Sequence, residues 1–479
     1  NLSRLHRRGC ERAMCTMFIL QRRRQITKRL FSLKNLCQCA EAFPPYSYAK
    51  AHLFRENFVP SLPFALALTT CSRPTLPVKV LATLFLSIVF FSSNASADNP
   101  APIEQRIQKW VEQGSVMLND ENGKTLLTYH PDKLFVPASI IKIFTSLAAL
   151  NLLGESFRFK TSFYIDPEGN LAIKGWGDPQ LISEEIHLIA AKLKALGIEQ
   201  VRQVWLDQTA FAGEVAIEGR SNSLNPYDAL NSALVVNFNT LFLGRNKNSL
   251  VYSAEPVTPL TPLARALGRK LKPGTQDRFN LSTQPEYAFR YAGELFIEIL
   301  KQHGITVTHS DIRQTVIDDR WSLTYTHQNS SSLEMVISGL LKYSNNFMAN
   351  QIYLVAGAEK KGYPATITKA RSVFQALFQE KFPDHTRKTV IDEASGISKK
   401  NRMSARTIMA ILEQFRPRAE LLDWKKGVLL KSGTLTGVYN YAGYLKTATG
   451  YRPFVILLNQ KKNQRDKILM LLLQYNHHS

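Results

Sequence analysis

The sequence predicts an α+β fold in which one antiparallel sheet is flanked by helices and interrupted by a large inserted domain. Two early strands, at 115–119 and 125–129, flank an Asn-Gly pair, which is a strong hairpin signal. Three strands follow in quick succession near the end of the chain, at 427–431, 439–446 and 453–459. Because helical patterns lie between the two groups, we expect the early and late strands to close one sheet.

The first hundred residues differ in composition from the rest, and all five cysteines fall before residue 72. An apolar run from Val80 to Phe91 precedes Ala95-Ser96-Ala97, the small-x-small pattern of signal cleavage. This run is too short to span a bilayer. We therefore predict a cleavable signal peptide at 76–97 and a periplasmic protein. Because a signal peptide acts at the start of a chain, we interpret residues 1–75 as a non-native, disordered upstream extension.

The remaining chain is predicted to fold as three segments. Residues 98–155 form the first part of the sheet domain, 156–282 form an inserted α/β domain, and 283–479 form the second part. The absence of cysteine after residue 72 excludes thiol catalysis, Cys-based metal sites and disulfides from these segments. The net charge of +22 includes the Arg22-Arg23-Arg24 cluster of the upstream extension, and we predict no nucleic-acid partner.

Ser139 and Lys142 begin a predicted buried helix that runs to about Leu153. Pro137 suits the position just ahead of a helix start, and a serine and a lysine three residues apart lie on one helix face. The free first-turn amides and the helix dipole favour an oxyanion there. A serine nucleophile with a lysine base requires this arrangement. The motif alone is weak evidence, since Ser47–Lys50 matches it too.

Two further motifs carry polar groups suited to the same chemistry. Ser344-Asn345-Asn346 lies at a predicted helix–helix junction, where a hydroxyl can relay protons and an amide can hold a carbonyl. Lys431-Ser432-Gly433-Thr434 ends a strand, and its glycine lets a ligand backbone approach closely. Its lysine and two hydroxyls suit a carboxylate. Taken alone, this second motif is explained equally well by a strand that runs into a turn.

Together and in this order, the three motifs form the signature set of penicillin-recognising serine enzymes. The chain resembles the serine D-alanyl-D-alanine carboxypeptidases of the low-molecular-mass class C penicillin-binding proteins, peptidase family S13. The likeness covers nearly all of 98–479. It includes Gly175-Trp176-Gly177-Asp178-Pro179, Asn225-Pro226-Tyr227-Asp228-Ala229, Asn237-Phe238-Asn239-Thr240 and Leu435-Thr436-Gly437. It also includes the loop 393–398, which reads Glu-Ala-Ser-Gly-Ile-Ser where the family usually has Asp-Gly-Ser-Gly-Leu-Ser.

The resemblance implies a serine β-lactamase/transpeptidase-like domain, and it implies the roles of the residues that carry out the reaction. Ser139 would attack the carbonyl of the penultimate D-alanine of a peptidoglycan stem peptide, and Lys142 would accept its proton. Ser344 would relay a proton toward the departing D-alanine, and Asn346 would hold the acyl chain or Lys142.

The resemblance also implies the binding groups. Lys431, Ser432 and Thr434 would engage the terminal carboxylate beside Gly433, although Ser432 stands where Thr is commoner. The backbone amides of Ser139 and Thr434 would form the oxyanion hole. β-Lactam antibiotics would acylate the same serine and inhibit the enzyme, and no metal or cofactor is implied.

Several alternatives stay open at this point. A serine β-lactamase shares the three motifs, but no Glu-x-x-Leu-Asn deacylation segment follows Ser139. D,D-Endopeptidase cleavage of cross-links is the same reaction on a larger substrate, and sequence does not separate the two. A catalytically silent wall-binding protein could be built on the same fold. The number of inserted subdomains and any peripheral association with the membrane are also undecided.

Overall fold

The computed structural model of the protein describes residues 102–213 and 215–478. The predicted upstream extension and signal peptide therefore lie outside the described residues. The strands are β1 Gly114–Asn119, β2 Thr125–Tyr129, β3 Leu134–Phe135, β4 Lys160–Ile165, β5 Leu171–Gly175, β6 Gln200–Asp207, β7 Thr240–Arg245, β8 Val251–Ser253, β9 Thr275–Asn280, β10 Thr306–Gln314, β11 Ser322–Gln328, β12 Met403–Ser404, β13 Asp423–Lys425, β14 Val428–Leu435, β15 Val438–Lys446 and β16 Tyr451–Leu458. The helices are α1 Ile103–Gln108, α2 Ile141–Leu153, α3 Ser183–Ala195, α4 Pro262–Gly268, α5 Pro285–Gln302, α6 Leu333–Tyr343, α7 Asn346–Lys361, α8 Ile367–Lys381, α9 Ala405–Phe415 and α10 Arg465–His478.

The largest sheet joins the early and late parts of the described chain. Its six strands lie in the order β13-β14-β15-β16-β1-β2, and every neighbouring pair is antiparallel. Strand β1 pairs with β16, and the paired residues run from Gly114 opposite Leu458 to Leu118 opposite Phe454. The predicted α+β fold, with a sheet closed by distant parts of the chain, is confirmed, and β13 adds an edge strand that was not predicted.

Helices cover both faces of this sheet. Successive residues of a strand point to opposite faces. The six residues 453–458 of β16 are all buried, so both faces must be packed. Phe144 of α2 and Phe415 of α9 belong to the core on one face, and Ile107 of α1 and Ile468 of α10 belong to the core on the other. This packing holds the start of α2 against the sheet.

The inserted domain extends further along the chain than predicted. The sequence predicts that the insertion ends at residue 282 and that the second part of the sheet domain begins at 283. In the structure, α5 buries Leu295 and Phe296 in the inserted domain's own core, and β10 and β11 are the two edges of its five-stranded sheet, β10-β6-β5-β4-β11. The insertion therefore ends after Gln328. An amphipathic pattern predicts that α5 has a buried face, but it does not specify which of two cores buries it.

The inserted segment also contributes to the core of the sheet domain. Phe211, Ala229, Ala233 and Val235, from the connection between β6 and β7, are buried in the same core as Tyr353 of α7. A three-stranded sheet, β8-β7-β9, lies within the insertion as well. In the described ranges, no helix has both the length and the apolar character needed to cross a bilayer.

Candidate active site

Ser139 lies in a 3₁₀ turn, Ala138–Ile140, immediately before α2. Ala138 is fully buried and has a left-handed backbone conformation with φ 47°. A non-glycine residue in this conformation is unfavourable and persists only where its surroundings hold it. Asn440 of β15 contributes to that hold, since its Nδ2 donates to the carbonyl oxygens of Val136 and Pro137 at 2.9 Å each. The neighbouring strand thus fixes the turn that presents Ser139.

Two glycines lie directly against this turn. A Cβ atom on Gly396 would lie 2.1 Å from the Ala138 carbonyl oxygen, and Gly396 has φ 84°. A Cβ atom on Gly433 would lie 2.7 Å from the Pro137 carbonyl oxygen and 3.2 Å from the Ser139 nitrogen. Because real Cβ atoms do not approach so closely, only glycine at these positions lets β14 and the loop 393–398 reach the nucleophile's backbone.

Lys142 is fully buried one turn along from Ser139, and its Nζ atom lies between three oxygen atoms. It donates to Ser139 Oγ at 3.0 Å, to Asn346 Oδ1 at 2.8 Å and to the Ser395 carbonyl oxygen at 2.5 Å. Burial lowers the pKa of Lys142 from its ordinary value to about 7, and the charge of Glu393 acts in the opposite direction. An amine with this pKa is substantially neutral at neutral pH, so it can accept the serine proton.

Ser344 and Asn346 flank a junction between two helices. Ser344 ends α6 in a left-handed conformation with φ 56°, and Asn345 caps α7 by accepting from the Met348 amide at 3.0 Å. This reversal turns the Ser344 hydroxyl toward β14, where Lys431 Nζ donates to its Oγ atom at 2.7 Å. The junction explains why neighbouring residues can contact two different lysines.

Lys431 is almost completely buried, with 3% of its surface exposed. Burial and the nearby charge of Lys142 lower the pKa of Lys431 well below its ordinary value. Its Nζ atom also donates to the Ser432 carbonyl oxygen at 3.2 Å. Ser432 and Thr434 lie on the opposite face of β14, since alternate residues of a strand share a face. Thr434 is exposed and Ser432 is half-buried.

Glu393 was not singled out as a site residue from the sequence. Its buried carboxylate accepts from the backbone amides of Ser395 at 2.7 Å, Gly396 at 2.7 Å and Ser398 at 3.2 Å. Asn401 Nδ2 donates to the same carboxylate at 2.9 Å. These bonds shape the loop that presents the Ser395 carbonyl oxygen to Lys142. The family-like sequence of the loop was the signal that could have found this residue.

The fold brings the segments that carry all eight predicted site residues together around the Ser139 turn. Hydrogen bonds join Ser139, Lys142 and Asn346 in one group and Ser344 and Lys431 in another, and Gly433 touches the Ser139 turn. Sequence reasoning missed Glu393, Asn440 and also Arg465, whose Nη1 donates to Thr434 Oγ1 at 2.7 Å. Nothing in the local sequence around Asn440 or Arg465 marks either residue, because both act through strands or helices distant in the chain.

Comparison with known proteins identifies relatives that match most of the chain. The model of the D-Ala-D-Ala carboxypeptidase 3 (S13) family matches residues 103–256 and 273–428. The D-alanyl-D-alanine carboxypeptidase DacB of Haemophilus influenzae is 22% identical over 450 residues, which cover 79% of this chain and 92% of that protein. A D-alanyl-D-alanine carboxypeptidase of an Actinomadura species is 24% identical over 461 residues, 80% of this chain and 85% of that protein.

Solved structures show the same fold. The crystal structure of penicillin binding protein 4 (dacB) from Haemophilus influenzae matches with a TM-score of 0.63 at 20% identity, over 78% of this chain and 98% of that one. A second structure of that protein, in complex with a novel β-lactam, matches with a TM-score of 0.58 over the same shares of the two chains. The likeness extends through the inserted domain, since nearly all of the solved chain is covered.

Proposed function

The chain belongs to the D-Ala-D-Ala carboxypeptidase 3 (S13) family, and from that premise we propose that it is a serine D-alanyl-D-alanine carboxypeptidase acting on peptidoglycan stem peptides. The observation that carries the proposal is the environment of Lys142. Its buried Nζ atom lies 3.0 Å from Ser139 Oγ, and its pKa of about 7 lets it act as a base.

In the proposed acylation step, Ser139 Oγ bonds to the carbonyl carbon of the penultimate D-alanine while its proton passes to Lys142 Nζ. The carbonyl oxygen becomes an oxyanion, which the backbone amides of Ser139 and Thr434 stabilise. A donor of this kind typically contributes about 3 kcal/mol to the transition state. Gly433 approaches the Ser139 nitrogen so closely that a Cβ atom added to it would lie 3.2 Å away, which supports this placement of the two amides.

Collapse of the tetrahedral intermediate breaks the peptide bond and releases D-alanine. Its amine needs a proton, and the Ser344 hydroxyl donates one while it recovers a proton from Lys431, which lies 2.7 Å away. The proton that Lys142 took from Ser139 then replaces the one that Lys431 gave up, so that Lys142 is neutral again. Water attacks the acyl-enzyme and gives a proton to Lys142, which returns it to Ser139 Oγ as the shortened peptide leaves. β-Lactams acylate the same serine, and slow deacylation makes them covalent inhibitors.

Labelling with a fluorescent penicillin tests the proposal. We expect the purified protein to be labelled covalently, and we expect Ser139→Ala and Lys142→Met to abolish labelling. Ser322→Ala, which removes an exposed hydroxyl from the inserted sheet, is the matched control and should label normally. Absence of labelling in the wild type, or labelling that survives Ser139→Ala, would refute the acyl-enzyme. Rapid hydrolysis of the penicillin without a stable adduct would instead favour the β-lactamase alternative.

Digestion of purified sacculi distinguishes carboxypeptidase from D,D-endopeptidase activity. Loss of the terminal D-alanine from monomeric pentapeptides is the expected result, and conversion of cross-linked dimers to monomers would reveal endopeptidase cleavage. A protein that binds sacculi but releases no product would be a silent wall-binding protein, and this result would overturn the proposal.

We also propose that the protein acts in the periplasm after cleavage of a signal peptide at residues 76–97. The apolar run from Val80 to Phe91 and the Ala95-Ser96-Ala97 sequence support this location. Mass spectrometry of the mature protein should find an amino terminus near Asp98. A peptide from residues 1–70 in cell extract would contradict both the export signal and the interpretation of 1–75 as non-native. Fractionation of cells would show whether the protein associates peripherally with the membrane.

A further inference from the structure

Arg465, the first residue of α10, lies beside the end of β14. Its Nη1 atom donates to Thr434 Oγ1 at 2.7 Å, and its guanidinium carbon lies 4.4 Å from the ring centroid of Tyr441. Tyr441 is the cross-strand neighbour of Ser432. Cross-strand neighbours share a face of the sheet, so the guanidinium lies on the face that carries both hydroxyls. The hydrogen bond and the aromatic contact together fix its position.

The guanidinium of Arg465 is in no close ion pair in the described ranges, although the charge of Asp466 acts on it from a greater distance. Asp466, the next residue, directs its carboxylate to Lys426 Nζ at 3.1 Å and accepts from the Tyr441 hydroxyl at 2.9 Å. Within the described ranges, Arg465 forms no ion pair with a carboxylate. A fixed positive charge beside two hydroxyls, one of them exposed, is a suitable site for an anion.

Lys431 is poorly suited to supply a permanent charge at the same place. It is nearly fully buried and already donates to Ser344 Oγ at 2.7 Å. Its burial and the neighbouring Lys142 lower its pKa well below the ordinary value. A group of this kind can relay protons but is an unreliable partner for an anion. Arginine, in contrast, stays charged at every physiological pH.

We propose that Arg465 is a specificity-determining residue that supplies the fixed positive charge for the C-terminal carboxylate of the substrate, beside the hydroxyls of Ser432 and Thr434. The inference rests on the proposed carboxypeptidase function. In this assignment, Arg465 gives the enzyme its preference for a free carboxylate. Lys431 can then exchange a proton with Ser344 without loss of the charge that binds the substrate.

Kinetics with two matched substrates test this assignment. One is an acylated peptide that ends in D-Ala-D-Ala, and the other is the same peptide with a C-terminal amide. We expect Arg465→Ala to lower kcat/KM for the carboxylate substrate about 10- to 100-fold, as is typical for loss of a hydrogen-bonded charge, mainly through KM. Turnover of the amide should change less than about threefold, because it carries no charge for Arg465 to bind. Arg465→Lys should retain part of the preference, since it keeps the charge but not the planar fork.

Lys467→Ala is the matched control, because it removes an exposed positive charge from the same helix. This variant should keep the wild-type ratio of the two kcat/KM values. If Arg465→Ala lowers kcat/KM equally for both substrates, the role of Arg465 is structural and the inference is overturned. The inference also fails if the variant leaves both kcat/KM values unchanged. Thermal melting of each variant checks folding. If the wild type cleaves neither peptide, the proposed function fails first, so the two failures are distinguishable.

Discussion

Lys142 owes its reactivity to burial more than to any single neighbour. Burial disfavours the ammonium form, and the pKa of Lys142 falls to about 7 even though the charge of Glu393 favours protonation. The Ser395 carbonyl and the Asn346 amide oxygen hold the amine in place but cannot take its proton. Ser139 Oγ therefore lies beside an amine that is held in position and is partly neutral at neutral pH.

The rate of acylation should depend on pH through this amine. Only neutral Lys142 accepts a proton, so the second-order rate of penicillin acylation should fall about tenfold per pH unit below about 7 and level off above it. Stopped-flow fluorescence between pH 5.5 and 9 measures this profile, and melting temperatures at the same pH values separate it from unfolding. A flat profile between pH 6 and 8 would contradict a base with this pKa.

The lowered pKa of Lys142 also makes the folding stability of the protein depend on pH. An unfolded lysine keeps its proton up to about pH 10.4, whereas folded Lys142 loses it near pH 7. The unfolded state therefore binds more protons between these values, and the contribution of Lys142 to folding stability rises with pH across that window. Below about pH 7 both states are protonated, and the cost of burying the charge is fully present.

Residue patterns predicted the groups that meet in the cleft but not the groups that position them. Ser139 and Lys142 are three residues apart on one helix face, so their contact follows from local geometry. Asn440 and Arg465 act across strands and helices that no local pattern connects to the site. Such residues become visible only when the register of β14 against β15 is known.

Among the secondary-structure elements, the loop 393–398 and β14 are shaped by glycines that touch the nucleophile turn. Gly396 combines a left-handed φ of 84° with a Cβ position that would overlap the Ala138 carbonyl oxygen. Gly427, at the turn before β14, has a similar φ of 80° but no atom within 4 Å of its Cβ position. A substitution at Gly427 therefore tests the effect of backbone strain alone, whereas one at Gly396 tests backbone strain together with a steric contact.

Alanine at these two positions should give different results. Gly427→Ala should cost about 1 kcal/mol of unfolding free energy and leave acylation unchanged. Gly396→Ala should also displace the Ser139 turn, and a displacement of about 1 Å is enough to lower the acylation rate about 100-fold. Urea unfolding and penicillin labelling of both variants measure the two effects. Equal acylation by the two variants would show that the close contact is unimportant.

Long helices with a regular apolar pattern were predictable from the sequence, whereas short strands and turns were not. The helix that follows Ser139 ends before Gly154 as predicted, because glycine supplies the left-handed stop. The apolar run at 233–243 has the composition of a strand, but the 3₁₀ turn Asn237–Asn239 breaks it and only β7 forms. Phe238 has φ 59° there, a conformation that its side chain gives no reason to expect.

At the scale of the whole molecule, the inserted domain is connected by polar contacts to α7, the helix that begins at Asn346. Asn231 Nδ2 donates to the Phe347 carbonyl oxygen at 2.9 Å and to Gln351 Oε1 at 2.8 Å. Asn346 Nδ2 donates to the Tyr227 carbonyl oxygen at 3.3 Å. The amide that contacts Lys142 therefore also contacts the insertion, and α7 forms the shared boundary of the two parts.

Removal of the Asn231 amide should weaken both folding and acylation. Asn231→Ala leaves two buried acceptors without their donor, which should cost about 1–3 kcal/mol of unfolding free energy. Because α7 begins at Asn346, its displacement should also slow penicillin acylation. Asn248→Ala, an exposed asparagine of the same insertion, should change stability by less than about 0.5 kcal/mol. Similar results for the two variants would show that the insertion does not support α7.

The pairing of β1 with β16 has a consequence for the order of synthesis. The ribosome makes Ser139 and Lys142 long before β14, β15 and β16, yet Asn440 and Gly433 are needed to shape the serine's turn. A nascent chain that stops before residue 431 contains the nucleophile but lacks its pocket. Reactivity toward penicillin should therefore emerge abruptly as the final strands leave the ribosome, and truncated translation products should remain unlabelled.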